Sequence, residues 1–288
     1  MSQGIEPARF ILPPIVDNDS SLRSLFALYR SGLVHPQIID FSSCNSISHV
    51  GYAFILGCLR NFPVQFQLDN NTISQRIYFE ISKQFSWFVK GGSEGAIEAH
   101  AVPSREFNRN DDVINYLLED WLGPGWVIVS DKLKRALAGR TYEIFANAWE
   151  HSSAEKVFCC GRHREEQNEL QLVIIDFGHG IPGLVRPYIA KRHGINATDT
   201  KCLSWAMQRG ATTTDTPRGL GLDLLQEFVV INDGHLDIYS HTGHLSIGSN
   251  GKTLSSIKPG FTGTLVNITF RCDNVRYQFA SEVPGLDE

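Results

Sequence analysis

The spacing of apolar and polar residues predicts two successive α/β regions. An amphipathic stretch at residues 20–33 opens the first region, and a strand, a helix and a second strand follow it in β-α-β order. The second region alternates helical patterns with short strands, so we expect a mixed sheet with helices covering one face. The predicted helices are 48–62, 71–92, 113–122, 130–152, 200–210 and 219–233. The predicted strands are 36–44, 64–68, 156–163, 169–178, 234–241, 244–249 and 263–272.

A polar stretch at residues 104–112 separates the two regions. Such stretches are typical of domain boundaries, where few apolar contacts cross. We therefore expect a smaller α/β interaction or sensing domain at 1–108 and a larger domain at 109–288.

Composition excludes several classes of protein. With 42% hydrophobic residues and a net charge of -5, the chain can form real cores, and it has no long Lys/Arg run for nucleic-acid binding. Its apolar runs are too short to span a bilayer, and its N-terminus does not resemble a signal peptide. Six cysteines without paired spacing suit a reducing compartment. We expect a cytoplasmic protein that binds neither nucleic acid nor membrane.

Cys159, Cys160 and His163 form the one cysteine-histidine group that invites a metal interpretation. Adjacent residues of a strand point to opposite faces, so the two thiols cannot easily share one ion. Packing within a strand is the better interpretation.

A long predicted helix, with Ser130 as its N-cap, carries an unusual polar face. Glu143, Asn147 and His151 are spaced four residues apart, so a carboxylate, an amide and an imidazole share one side of the helix. Taken singly, each has an ordinary structural alternative: a surface carboxylate, a satisfied core amide, and an imidazole near the helix dipole. Glu150 is interpreted as solvated or structural.

Two glycine clusters follow this helix. In the first, Asp176 ends an apolar run, and Gly178 and Gly180 allow the backbone to turn and approach another group closely. An Asp-initiated β-turn is the simpler alternative. In the second, Gly219 and Gly221 open a predicted helix, whose free N–H groups can bind an anion.

Three familiar motifs do not fit these clusters. The sequence DFG lacks the other protein-kinase motifs upstream, and Leu224 is too large for the third position of a dinucleotide fingerprint. The sequence SIGSNGKT has Ser246 in place of the first P-loop glycine, and a hairpin turn explains it better.

Four segments in order resemble the N, G1, G2 and G3 boxes of the GHKL superfamily, which includes gyrase, heat-shock chaperones, histidine kinases and mismatch-repair ATPases. The segments are Glu143-x3-Asn147-x3-His151, DFGHG, RGLGL and GFTGT. The resemblance covers about residues 130–270 and is greatest to small bacterial anti-sigma-factor kinases and their stand-alone relatives. It implies the Bergerat ATP-binding fold, a two-layer α/β sandwich.

The resemblance also implies a role for each residue. Asn147 would coordinate a Mg²⁺ ion that bridges the phosphates, Glu143 would act as general base, and His151 would reach toward phosphate. Asp176 would accept a hydrogen bond from the adenine amino group, and Thr264 would help to bind adenine through water. The remaining residues would give room to the base and the lid or contact the phosphates: Gly178, Gly180, Arg218, Gly219, Leu220 and Gly221.

The sequence departs from the family pattern at Pro217, which replaces the first glycine of the G2 box. Proline removes a backbone donor and stiffens this end of the expected ATP lid, residues 184–217. No segment resembles the phosphoacceptor hairpin of histidine kinases, and we expect neither the second domain of gyrase nor its catalytic lysine after Thr264.

The first region resembles the STAS domains that partner anti-sigma-factor kinases. The resemblance lies in IIDFSSCNSISHVGYAFILGCLRNF, about 25 residues. Val50 stands where that family has its phosphorylated serine, so the resemblance implies that this switch is lost. Ser46 and Ser48 are alternative acceptors, although turn-forming or capping roles suit them better.

These features together predict a Mg²⁺-ATP-binding regulatory switch with slow hydrolysis, which meets a protein partner through its N-terminal domain. One alternative is a protein Ser/Thr kinase in which Glu143 activates a partner's hydroxyl group. Another is a nucleotide-sensing scaffold without catalysis. If the chain forms a homodimer, we expect the N-terminal helices to mediate it.

Overall fold

Two β-sheets of different character organise the chain. The computed structural model describes residues 6–75, 77, 101–150, 152, 154–208 and 222–283. The strands in these ranges are β1 Ala8–Ile11, β2 Gln37–Asp40, β3 Phe66–Leu68, β4 Ala101–Phe107, β5 Val157–Arg164, β6 Glu169–Asp176, β7 His235–Gly248 and β8 Gly251–Arg271. The first sheet is parallel, in the order β1-β2-β3, and the second has the order β4-β5-β6-β8-β7. The α/β class is confirmed.

Helices connect and cover these strands. They are α1 Asp19–Gly32, α2 His49–Asn61, α3 Val113–Asn115, α4 Asp131–Glu150, α5 Gly180–His193, α6 Asp199–Ala206 and α7 Asp223–Ile231. A π-helical turn at Tyr116–Trp121 continues α3. Most of the helix predicted at 71–92 lies outside the described residues.

The larger sheet is antiparallel between all neighbouring strands of the described residues, so the prediction of a mixed sheet was wrong. Its longest hairpin joins β7 to β8, with Gly248 opposite Gly251 across a two-residue turn. This turn falls in SIGSNGKT and confirms the hairpin interpretation.

Both faces of the larger sheet are buried, which explains the continuous apolar run of β6. Leu172 and Ile174 pack into a core that includes residues of α4 and α7, whereas Val173 and Ile175 pack into the opposite core with residues of α1 and α2. A strand covered on both sides has no polar face, so its sequence does not alternate. Helices α4 and α7 of the second region cover one face, as predicted, and the N-terminal helices α1 and α2 cover the other.

The two adjacent cysteines of β5 also lie on opposite faces of the larger sheet. Cys159 belongs to the core beside α4, and Cys160 to the core beside α2, where its Sγ donates to the carbonyl oxygen of His49 at 3.3 Å. The prediction that the thiols point to opposite faces is confirmed.

Capping side chains fix where the helices begin. The Ser130 Oγ accepts from the Leu133 N–H at 3.1 Å and caps α4, as predicted. The Ser48 Oγ accepts from the Gly51 N–H at 3.3 Å, so the capping role of Ser48 is also confirmed. Each such cap satisfies a backbone donor that the first helical turn leaves free.

The polar stretch at 104–112 begins inside a strand rather than in a linker. Its first residues complete β4, which pairs with β5 in the larger sheet. Within the described ranges, no helix is both long and apolar enough to cross a membrane.

Candidate functional site

The polar face of α4 lies near the C-terminal end of that helix. Glu143 and Asn147 are one turn apart and half-buried. The Nδ2 atom of Asn147 is shielded from solvent and has no hydrogen-bond partner in the described structure. A buried amide N–H without an acceptor is costly, and a bound anionic oxygen would satisfy it.

Asp176 ends β6 and is joined to the end of α4 through Ser152. The Ser152 Oγ donates to Oδ1 of Asp176 at 2.9 Å and also lies 2.8 Å from the carbonyl oxygen of Ala148. The Ser152 N–H donates to the carbonyl oxygen of Asn147 at 3.2 Å, and the Gly178 N–H donates to the same Oδ1 of Asp176 at 2.8 Å. The strand end and the helix end therefore form one hydrogen-bonded unit.

The Asp176 carboxyl group is 5% exposed, and this burial raises its pKa from 3.8 to about 6. Hydrogen bonds from Gly178, Ser152 and Thr264 oppose the rise. These donors are neutral, so at pH 7 most of the population carries a buried negative charge, and no described residue forms an ion pair with it. Such a perturbed carboxylate is typical of functional sites.

Thr264 and Ser240 extend the unit across the sheet. Asp176 lies opposite Thr264 on β8, and Thr264 lies opposite Ser240 on β7. The Ser240 Oγ donates to the carbonyl oxygen of Gly263 at 2.6 Å and accepts from the Ile181 N–H at 3.0 Å. The start of α5 is thereby held beside Asp176.

Neighbouring atoms lie so close to the two glycines of DFGHG that a larger residue does not fit at either position. A Cβ on Gly178 would lie 2.1 Å from the carbonyl oxygen of Ser152. Gly180 has a φ of +66°, and a Cβ there would lie 2.6 Å from the Ser240 Oγ. Other residues would push the loop away from its two serine anchors.

Five of the predicted site residues lie in or beside this hydrogen-bonded unit: Asn147, Asp176, Gly178, Gly180 and Thr264. Glu143 lies one helical turn before Asn147 on α4. The other five lie outside the described residues: His151, Arg218, Gly219, Leu220 and Gly221.

The expected lid is partly helical. Its described part, residues 184–208, contains most of α5 and all of α6. Arg186 on α5 forms an ion pair with Asp199 on α6, and Asp199 also accepts from the Thr242 N–H at 3.0 Å. The described part of the expected lid is therefore largely helical and is hydrogen-bonded to β7.

Sequence reasoning missed Ser152 and Ser240, which anchor the unit. Ser152 directly follows the predicted polar helix face, and Ser240 lies fully buried within β7. A hydroxyl group buried in either position indicates a specific partner, although the sequence does not say which.

Two cavities lie apart from this unit. One, of about 230 Å³, lies between α1 and the larger sheet and includes Arg164 and Gln171 in its wall. The other, of about 520 Å³, lies between α7 and the hairpin of β7 and β8. The described residues contain no group of three or more His, Cys, Asp or Glu side chains placed to hold a metal ion.

Comparison with known proteins gives no independent assignment. No family profile matches the chain, and no curated protein sequence is significantly similar to it.

Proposed function

We propose that the protein is a Mg²⁺-ATP-binding GHKL-type ATPase that acts as a nucleotide-gated regulatory switch with slow hydrolysis. The observation that carries this proposal is the buried carboxylate of Asp176, held by neutral donors and hydrogen-bonded through Ser152 to the end of α4. A lone buried carboxylate can accept from the amino group of adenine, with the glycine loop beside it.

The residues of α4 suit the phosphate end of the nucleotide. The Asn147 amide offers an oxygen to Mg²⁺ and an unpartnered Nδ2–H to a phosphate oxygen. When bound, Mg²⁺ would supply neutralisation of phosphate charge. No hydrogen bond joins the half-buried Glu143 carboxylate to another described residue, so it is free to act as a base toward water or a hydroxyl group.

The architecture supports the finer assignment of fold. A five-stranded antiparallel sheet with α4 and α7 on one face suits a Bergerat ATP-binding domain. The parallel order β1-β2-β3, with α1 and α2 between its strands, suits a STAS-like module. We propose that this module meets a protein partner whose binding depends on the nucleotide.

The test is calorimetric titration of ATP with Mg²⁺ into the wild type and Asp176→Asn. Because a hydrogen bond to a charged group contributes about 1.5–3 kcal/mol, the substitution is expected to weaken binding about tenfold or more. If the wild type does not bind ATP, the proposal is wrong.

A phosphate-release assay then distinguishes ATP hydrolysis from the two alternative functions, transfer to a protein partner and binding without catalysis. Glu143→Ala should retain ATP binding and lose turnover, whereas Glu166→Ala, at the opposite end of β6 and exposed, should change neither. Turnover that survives Glu143→Ala contradicts its role as base. Binding without wild-type turnover would favour transfer to a partner's hydroxyl group or a scaffold without catalysis.

A further inference from the structure

The residue between Asp176 and Gly178 points away from the candidate nucleotide site. Phe177 packs against the core that α1 and α2 share with the second face of the sheet. Neighbouring residues at a strand end alternate between faces, so one short segment carries the carboxylate on one side and an aromatic ring on the other.

The ring of Phe177 contacts aromatic side chains from both regions of the chain. On the N-terminal side its centroid lies 5.9 Å from that of Tyr29, 5.6 Å from Phe54 and 5.9 Å from Phe62. On the sheet side it lies 6.3 Å from Phe158 and 6.0 Å from Phe261. We call this set, including Phe177, the Phe177 cluster.

Helix α2 presses directly on the ring. A Cβ on Gly57 would lie 2.1 Å from Cε2 of Phe177, so the helix approaches the ring as closely as a glycine allows. Closely packed interiors transmit displacement instead of absorbing it. A shift of α2 therefore moves Phe177 and, through its backbone, Asp176 and the Gly178 N–H.

We propose that Phe177 is a positioning residue through which the N-terminal module sets the nucleotide affinity of the site at Asp176. This inference rests on the proposed function, because it concerns regulation of the same site. A partner that displaces α2 changes ATP affinity, and by thermodynamic reciprocity ATP changes the affinity for that partner by the same factor.

The first test uses variants that disturb the cluster from the N-terminal side. Phe62→Leu removes ring contact with Phe177, and Gly57→Ala crowds the ring while favouring the helix itself. Both should weaken the binding of Mg²⁺-ATP by about fivefold or more, the range of typical coupling between sites. The control, Phe66→Leu, removes a buried ring that contacts Phe62 but not Phe177, and should leave affinity unchanged.

A second measurement needs no nucleotide. The carboxyl carbon of Asp176, followed by NMR as a function of pH, should titrate near pH 6 in the wild type. Phe62→Leu and Gly57→Ala should move this midpoint by roughly half a pH unit or more, because the donors and the burial around the carboxylate change, whereas Phe66→Leu should not. Loss of stability alone would not produce this pattern.

The two measurements separate failure of the inference from failure of the proposed function. If ATP does not bind but the midpoint moves, Phe177 still positions the Asp176 carboxylate, whereas its effect on nucleotide affinity and the proposed function both fail. If Phe62→Leu and Gly57→Ala fold and leave both affinity and midpoint at their wild-type values, the positioning role is refuted, whether or not ATP binds.

Discussion

Replacing Asp176 by Asn is expected to raise the free energy of unfolding at about pH 8 by about 3 kcal/mol. Burial raises the pKa of the Asp176 carboxyl group from 3.8 to about 6. Each pKa unit corresponds to about 1.36 kcal/mol, so the ionised carboxylate costs the folded state about 3 kcal/mol. The pKa of Asp176 is higher in the folded state than in the unfolded state. The wild type is therefore free of this cost at low pH, where the carboxyl group is protonated in both states, and it loses stability as the pH rises through about 6.

The substitution keeps the two hydrogen bonds that Oδ1 of Asp176 accepts. Both the Ser152 Oγ and the Gly178 N–H donate to the same oxygen, Oδ1, and the carbonyl oxygen of Asn can accept both. The amide has the shape of the carboxylate without its charge. The variant should therefore gain stability while it loses ATP affinity, which is the trade-off expected of a functional residue.

Urea denaturation of the wild type and Asp176→Asn at about pH 8 and about pH 5 measures this effect. The difference should narrow by about 1.4 kcal/mol at the lower pH, where most of the folded wild-type population is protonated at Asp176. Glu166→Gln, which neutralises an exposed carboxylate, should change stability by less than about 0.5 kcal/mol. If Asp176→Asn is less stable than the wild type at pH 8, or if the difference does not depend on pH, the reasoning is refuted.

Further predictions concern the pH dependence, the glycines and the helix caps. ATP affinity of the wild type should fall as the pH drops through about 6, because protonation removes the charge of Asp176 and turns one of its oxygens into a donor; a flat calorimetric profile would contradict this. Gly178→Ala should destabilise the protein by about 2 kcal/mol, since its Cβ would meet the Ser152 carbonyl oxygen, whereas Gly139→Ala, with open space within α4, should stabilise it by up to about 1 kcal/mol in the same urea assay. Ser48→Ala should cost about 1 kcal/mol through loss of the α2 cap. Ser130→Ala should cost more, because the Ser130 Oγ also donates to Glu282 at 2.7 Å; equal losses for the two serines would contradict this.

Local signals in the sequence predicted much of the candidate site. The spacing of Glu143 and Asn147 placed them on one face of α4, and the apolar run before Asp176 placed that residue at a strand end. Both predictions depend only on the periodicity of helices and strands, which neighbouring residues determine.

The packing of the N-terminal region on the sheet could not be predicted in this way. It joins Cys160 to His49, which are 111 positions apart, and no local pattern encodes such a pairing. The continuous apolar run of β6 did carry a signal that both faces are covered, but not the identity of the covering helices.

The polar composition of residues 104–112, which resembles that of a linker, has a different cause. Glu106 lies in β4, yet it is paired with Arg60 at 2.8 Å and with Lys156, and Arg105 donates to Asp120 at 3.1 Å. Charged residues are common on strands where ion-pair partners come from other elements. Their composition therefore resembles that of a linker, although the backbone completes a sheet.

The segment from Asp176 to Gly178 combines an unfavourable and a favourable environment within three residues. The ionised carboxylate of Asp176 destabilises the folded state by about 3 kcal/mol at neutral pH. Aromatic pairs contribute about 0.5–1.5 kcal/mol each beyond their burial, so the contacts of Phe177 in its cluster are of the same magnitude. Since the N-terminal helices supply Tyr29, Phe54 and Phe62 to that cluster, a buried charge suited to a ligand is held in place by packing from the other region of the chain. The N-terminal region thus packs against the segment that carries the carboxylate, and we expect a change in this packing to change the free energy of the carboxylate.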